Sequence, residues 1–259
     1  MNPAAKPMNE PSLPPVLDHR WDTPPPVPLG SGPGENEPLT RPAQTIEAML
    51  RQPRRLIHQL RQNAAARVIG HLVVISLFCA AIYGVIVGSF SGGDQLWAVP
   101  VKLALGLLGA GLICLPSLYI FSCLAGARAR LIEVVGLVAG LVMLLTLLLI
   151  GFAPVAWVFA QSTNSVPTMG ILHLLFGAVA LIFGLRFLSH GFRCLETSSH
   201  AGLKIWMIIF TMVLLQMTTA LRPFIGRADS FMPKEKKFFL THWAEQMSGR
   251  TNHVSLLDD

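Results

Sequence analysis

The chain has 259 residues, of which 52% are hydrophobic and only 13% charged, with a formal net charge of +6. A soluble domain carries about 25% charged residues, so this deficit argues against an ordinary water-soluble globule and for a membrane class. The positive charge does not form a nucleic-acid-binding face: six arginines from Arg41 to Arg67 cluster just before the first apolar run, where a cytoplasmic flank meets anionic lipid.

Residues 1–43 hold 12 of the 19 prolines, including PPPVP at Pro24–Pro28. With little to bury, this segment is expected to be a disordered or partly polyproline II tail whose PxxP match could engage a groove-type partner. It has no apolar core of a signal peptide, so the first span is expected to act as its own uncleaved insertion signal. Residues 44–66 change character. Ile46, Met49, Leu50, Leu56, Ile57 and Leu60 recur at helical spacing with arginines between them, which predicts a basic amphipathic helix lying in the interface. Pro53 is placed to split it in two.

Five apolar runs follow, near Val68–Phe90, Trp97–Leu124, Ile132–Ala160, Met169–Leu188 and Leu203–Leu221. Each approaches or exceeds the roughly 20 residues a helix needs to cross a bilayer. They are continuously apolar rather than alternating, which excludes a strand barrel. The fold class is therefore all-α: a polytopic membrane protein of about five transmembrane helices over 67–222. An amphipathic interfacial tail is expected over 223–259.

The connections orient the spans. SGGDQ and QSTNSVPT carry no basic residue, whereas AGARARL holds Arg128 and Arg130, and SHGFRCLETSSHAGLK holds Arg193 and Lys204. This alternation places the N-terminus in the cytoplasm and the C-terminal tail outside, and it fits a bacterial inner membrane. The tail's own cations, from Arg222 to Arg250, pull the other way.

Lipid supplies little hydrophobic drive between helices, so close packing needs small residues. Gly84 and Gly88 in the first span and Gly136 and Gly140 in the third have that spacing, and the second and fourth spans also carry glycines. The fifth has none, so it is expected to pack more loosely or at the edge of the bundle. Pro116 and Pro154 sit inside the second and third spans as packing features or kinks.

Polar groups within spans are the strongest pointers to function. His71 and Arg186 lie near cytoplasmic ends and are expected to snorkel. Lys102, His173 and Gln216 share the outer third, with Asp94 in the first outer loop and Arg222 just beyond the fifth span. Three readings stand open: one polar, anion-leaning site, a hydrogen-bonded clamp on the fifth span, or separate groups reaching the headgroups. His190, Cys194 and His200 form H-x3-C-x5-H, one ligand short of an ordinary zinc site. No cysteine pair has CxxC spacing, and no catalytic or nucleotide motif is present, so neither enzyme activity nor a cofactor is expected.

The stretch from Gln216 to Trp243 begins in the last apolar run and breaks at Arg222-Pro223, because proline disfavours helical geometry in the residue before it. Aromatic residues from Phe224 to Trp243 then suit a segment that lies back on the surface. Its QM-x4-RPFIG pattern, with PSLYIFSCLAGA (Pro116 to Ala127) and RQPRRLIHQL (Arg51 to Leu60), resembles an uncharacterised family of bacterial multi-span proteins, itself loosely similar to YIP-type membrane proteins. The resemblance covers roughly residues 45–245 and departs at KKFF, Lys236 to Phe239, where the family pattern has Gly-Asn before the aromatics. It implies a non-catalytic protein that binds partners. The expected partners are the lipid bilayer and a membrane protein or a second copy of the chain, and no nucleic acid.

Overall fold

The structure is a computed structural model, and it describes residues 28–91, 95–127, 129–163, 166–195 and 201–220. The described residues form seven helices: α1 (Pro42–Arg51), α2 (Pro53–Arg61), α3 (Ala65–Ser91), α4 (Gln95–Leu124), α5 (Leu131–Ser162), α6 (Val166–Cys194) and α7 (Ala201–Ala220). The expected C-terminal interfacial segment lies outside the described residues.

The five apolar runs become α3 to α7 with ends shifted by a few residues. A helix pairs every backbone N–H and C=O within itself, which is the condition for lying in hydrocarbon. α3, α4, α5 and α6 are long and apolar enough to cross a membrane. α7 is apolar but shorter, over Ala201–Met217. Length and composition thus give four helices able to span, and the fifth expected span is this shorter helix.

Local chemistry sets the ends. Pro42 and Pro53 open α1 and α2 at positions where the missing N–H costs nothing. α4 ends in a turn through Gly126, whose φ of 71° needs the absent side chain. α5 opens with Glu133 accepting the Arg130 N–H at 3.2 Å. Pro116 and Pro154 are accommodated inside continuous helices.

α5 is the most enclosed helix and packs chiefly on α3 and α6. α4 packs on α3 and also touches α5, where Gly111 faces Val138 and Val142, and α7 packs mainly on α4. α7 runs antiparallel to α4: Gly202 faces Phe121, the Trp206 indole donates to the Cys114 carbonyl at 2.9 Å, and Met217 reaches Gly109. At about 30 Å for 20 residues, α7 matches the thickness of the hydrocarbon core. It sits at the edge, as its lack of mid-helix glycine implied, yet it buries Trp206 and Phe210 completely.

The glycines make specific contacts. A Cβ on Gly84 would run into the backbone of Pro100, so α3 and α4 touch main chain to main chain there. Gly88 is buried in the same helix. Gly140 receives Phe187 of α6 and Met49 of α1, and Gly136 receives Leu60 of α2. Gly136 therefore accommodates an N-terminal helix and not a neighbouring span.

The N-terminal region differs most from its sequence reading. Residues 28–43, assigned to the disordered tail, are folded, while residues 1–27 lie outside the described part. Residues 28–41 form a strap with Glu35 and Leu39 buried. α1 and α2 form separate helices that turn at Gln52-Pro53, as Pro53 foretold. Most of their apolar side is buried on protein: Met49, Leu56, Ile57 and Leu60 belong to the common core, while Leu50 stays exposed. The pair forms a cap on one end of the bundle, against α3, α5 and α6.

Candidate functional site

Two polar assemblies stand out. The first lies within the spans. The Tyr83 hydroxyl of α3 and His173 Nδ1 of α6 are 2.7 Å apart, with the rings edge to face. The pair ties α3 to α6, two helices that otherwise meet through α5 between them. His173 Nε2 is buried and has no hydrogen-bond partner among the described residues. Lys102 on α4 is only 2% exposed. Gln216 lies on α7, half-buried. The three expected outer residues therefore come from three separate helices, and the bond recorded for His173 is to Tyr83. Asp94 and Arg222 lie outside the described residues. Sequence reasoning missed Tyr83 because a tyrosine in an apolar run reads as packing; its hydroxyl, which needs a partner when buried, was the available signal.

The second assembly holds the cap. Arg54 Nε donates to Glu35 Oε1 at 2.8 Å, with the Glu35 side chain only 8% exposed, and Arg54 Nη2 donates to the Pro28 carbonyl at 3.2 Å. The Gly30 N–H donates to the other Glu35 oxygen, and Gln59 donates to the Glu35 carbonyl at 3.3 Å. Arg55 pairs with Glu37 at 3.2 Å. Burial pushes the Glu35 carboxyl up. The Arg54 hydrogen bond, the N–H groups of Gly30 and Gly32 and the Arg54 charge together outweigh it, so the carboxyl is held below its ordinary value. The same hydrogen bond to Glu35 raises Arg54. Arg130 then ties α2 to α5: it pairs with the buried Glu133 at 3.1 Å and donates to the Arg61 carbonyl at 2.6 Å. His71 is not a snorkelling group. Its Nδ1 lies 3.3 Å from the Thr45 hydroxyl, which joins α3 to α1.

His190 and Cys194 approach to 3.8 Å, and His200 lies outside the described residues. No three potential metal ligands come together among the described residues. The four cysteines are free, with Cys79 and Cys114 buried.

These arrangements are chemically suited to fixing helices against one another. Tyr83–His173 joins two spans, and Glu35–Arg54 with Arg130–Glu133 fastens a folded cap. Comparison with protein-family models, curated proteins and solved structures gives no match.

Proposed function

We propose that the chain is a non-catalytic scaffold or accessory subunit of a larger membrane complex. The observation that carries this reading is the cap. α1 and α2 bury their apolar side on α3, α5 and α6, so one end of the bundle is covered by a fixed folded surface. Such a surface suits a partner rather than solute entry. The excess of arginine at this end supports a cytoplasmic N-terminus, with α7 as a fifth span and the C-terminal tail outside, in keeping with a bacterial inner membrane. The likeness to the uncharacterised multi-span family, and more loosely to YIP-type proteins, points the same way.

The test is purification of the full chain in mild detergent through a C-terminal tag. Complex mass is measured by light scattering and co-purifying chains by mass spectrometry. A partner at fixed stoichiometry, whose activity falls when this chain is deleted, is the expected result. A lone oligomer that moves a solute in proteoliposomes would refute the scaffold reading.

A second reading, a transporter or channel component with a polar site in the outer third, rests on Lys102 and His173. Lys102 is an ionisable side chain inside an apolar helix at only 2% exposure, the kind of residue that marks a polar path through a bundle. His173 Nε2 is a buried donor or acceptor that meets no partner among the described residues. In that case Lys102→Ala and His173→Ala abolish flux while the bundle stays assembled. In the scaffold case the same changes lower stability alone.

A further inference from the structure

α6 carries two arginines, Arg186 and Arg193, that are exposed and have no acidic partner among the described residues. They are seven residues apart, so they share a helix face, and His190 falls on that face between them. His190 lies within the fields of both Arg54 and Arg193. With Arg51, Arg54 and Arg55 it borders a shallow depression of 480 Å³ between α6 and the start of α2. The α2 side is already neutralised, since Arg54 pairs with Glu35 and Arg55 with Glu37, and Arg51 approaches Glu47 at 3.6 Å. Arg186 and Arg193 lie outside this lining, along the α6 face that carries His190, and among the described residues they have no acidic partner.

The same face of α6 is apolar in the other direction. Ile182, Leu175 and Ile171 are exposed and follow Arg186 at helical spacing. From Ile182 to Ile171 the stripe runs about 16 Å at ~1.5 Å per residue. That is close to half of a ~30 Å hydrocarbon core, the depth of one leaflet. A surface that is apolar for one leaflet and then presents two guanidinium groups with no acidic partner among the described residues complements a molecule with an acyl chain and an anionic head. Arginine forks also match phosphate oxygens bidentately.

We propose that this face of α6 binds an anionic phospholipid, with the phosphate held by Arg186, His190 and Arg193 beside the α2 cleft and an acyl chain along Ile182, Leu175 and Ile171. The site is independent of whether the chain is a scaffold or a transporter, because it requires only that α6 lie in a bilayer.

The test uses the full chain in a neutral detergent, titrated at pH 7 with phosphatidylglycerol, phosphatidylcholine or inorganic phosphate. Bound species are counted by native mass spectrometry, and thermal unfolding is followed in parallel. Phosphatidylglycerol is expected to bind at low fixed stoichiometry, more tightly than phosphatidylcholine, and to raise the unfolding temperature. Each arginine lost weakens it about fivefold, so Arg186→Gln with Arg193→Gln weakens it about 25-fold. Arg41→Gln with Arg67→Gln removes as much charge elsewhere and is expected to leave it unchanged. Should the α6 double variant not fold, Arg193→Gln alone still tests the site, at about fivefold. Equal binding of phosphatidylcholine overturns the proposal, and so does an equal loss in the Arg41 and Arg67 control. Displacement of the lipid by inorganic phosphate alone would also overturn it, by making this a phosphate site.

Discussion

The contact between α3 and α4 at Gly84 gives the sharpest quantitative test of the bundle. Gly84→Ala places a Cβ against the Pro100 backbone, 2.9 Å from its nitrogen and 3.2 Å from its Cβ. Carbon atoms settle at about 3.5–4.0 Å, so the two helices must separate by on the order of 1 Å locally. Pro100 offers no flexible side-chain end that could swing away, and the strain falls on two main chains. Overpacking of this kind costs about 1–3 kcal/mol. For a chain of this size each kcal/mol lowers the unfolding temperature by roughly 2–4 °C. Gly177 and Gly151 are the controls, because a Cβ on either meets nothing within 4 Å. There alanine relieves the intrinsic cost of glycine in a helix, about 0.5–1 kcal/mol, and is expected to be neutral or stabilising. The buried thiols of Cys79 and Cys114 supply the assay, since a thiol-reactive dye reports their exposure as detergent-solubilised protein is heated. If Gly84→Ala melts with the wild type, or if Gly177→Ala falls as far as Gly84→Ala, the close approach of α3 and α4 is wrong.

Tyr83→Phe and His173→Ala each remove the 2.7 Å bond between α3 and α6, and a double-mutant cycle on unfolding is expected to return a coupling of about 0.6–1.7 kcal/mol; additive effects would mean that the two groups do not interact. Leu60→Ala empties the pit at Gly136 and removes a side chain that is 1% exposed, at a cost of about 2–5 kcal/mol. Hydrogen exchange should quicken over residues 42–61 and leave α3 to α6 protected, whereas unchanged exchange there would argue against the docked cap. Because the Glu35 carboxyl is held below its ordinary value in the folded chain, its contribution is present above the unfolded value and lost on acidification. Protection over residues 28–61, taken relative to the intrinsic exchange rate at each pH, is therefore expected to fall as the pH falls toward ~4.3, the ordinary glutamate value, and to keep falling below it. Glu35→Gln should abolish that pH step, and a step that survives the substitution must belong to another group.

The membrane helices were legible because each is a local property. A long apolar run needs no distant partner to become a helix in lipid, and glycine, proline and charge mark its ends. The runs read near 68–90 and 132–160 became 65–91 and 131–162 for this reason. Gly84 was legible as a packing residue, but Pro100 as its neighbour was not, since spacing within one helix does not name the helix opposite. Lys102, His173 and Gln216 were visible as polar outliers, and their grouping was guessed from depth alone.

The strap was misread because its composition is that of a tail. Proline and glycine dominate it, and what orders it is Glu35 meeting Arg54, 19 residues further on. The Tyr83–His173 bond spans 90 residues and the Arg130 bond to the Arg61 carbonyl spans 69. The sequence alone determined that the chain is helical, that its long helices lie in a membrane and which end is basic, because hydrophobicity and charge act residue by residue. Only the tertiary structure decided that the amphipathic α1 and α2 spend their apolar side on the bundle. Helix periodicity shows that a face must be covered, and three-dimensional contact selects protein over lipid to cover it.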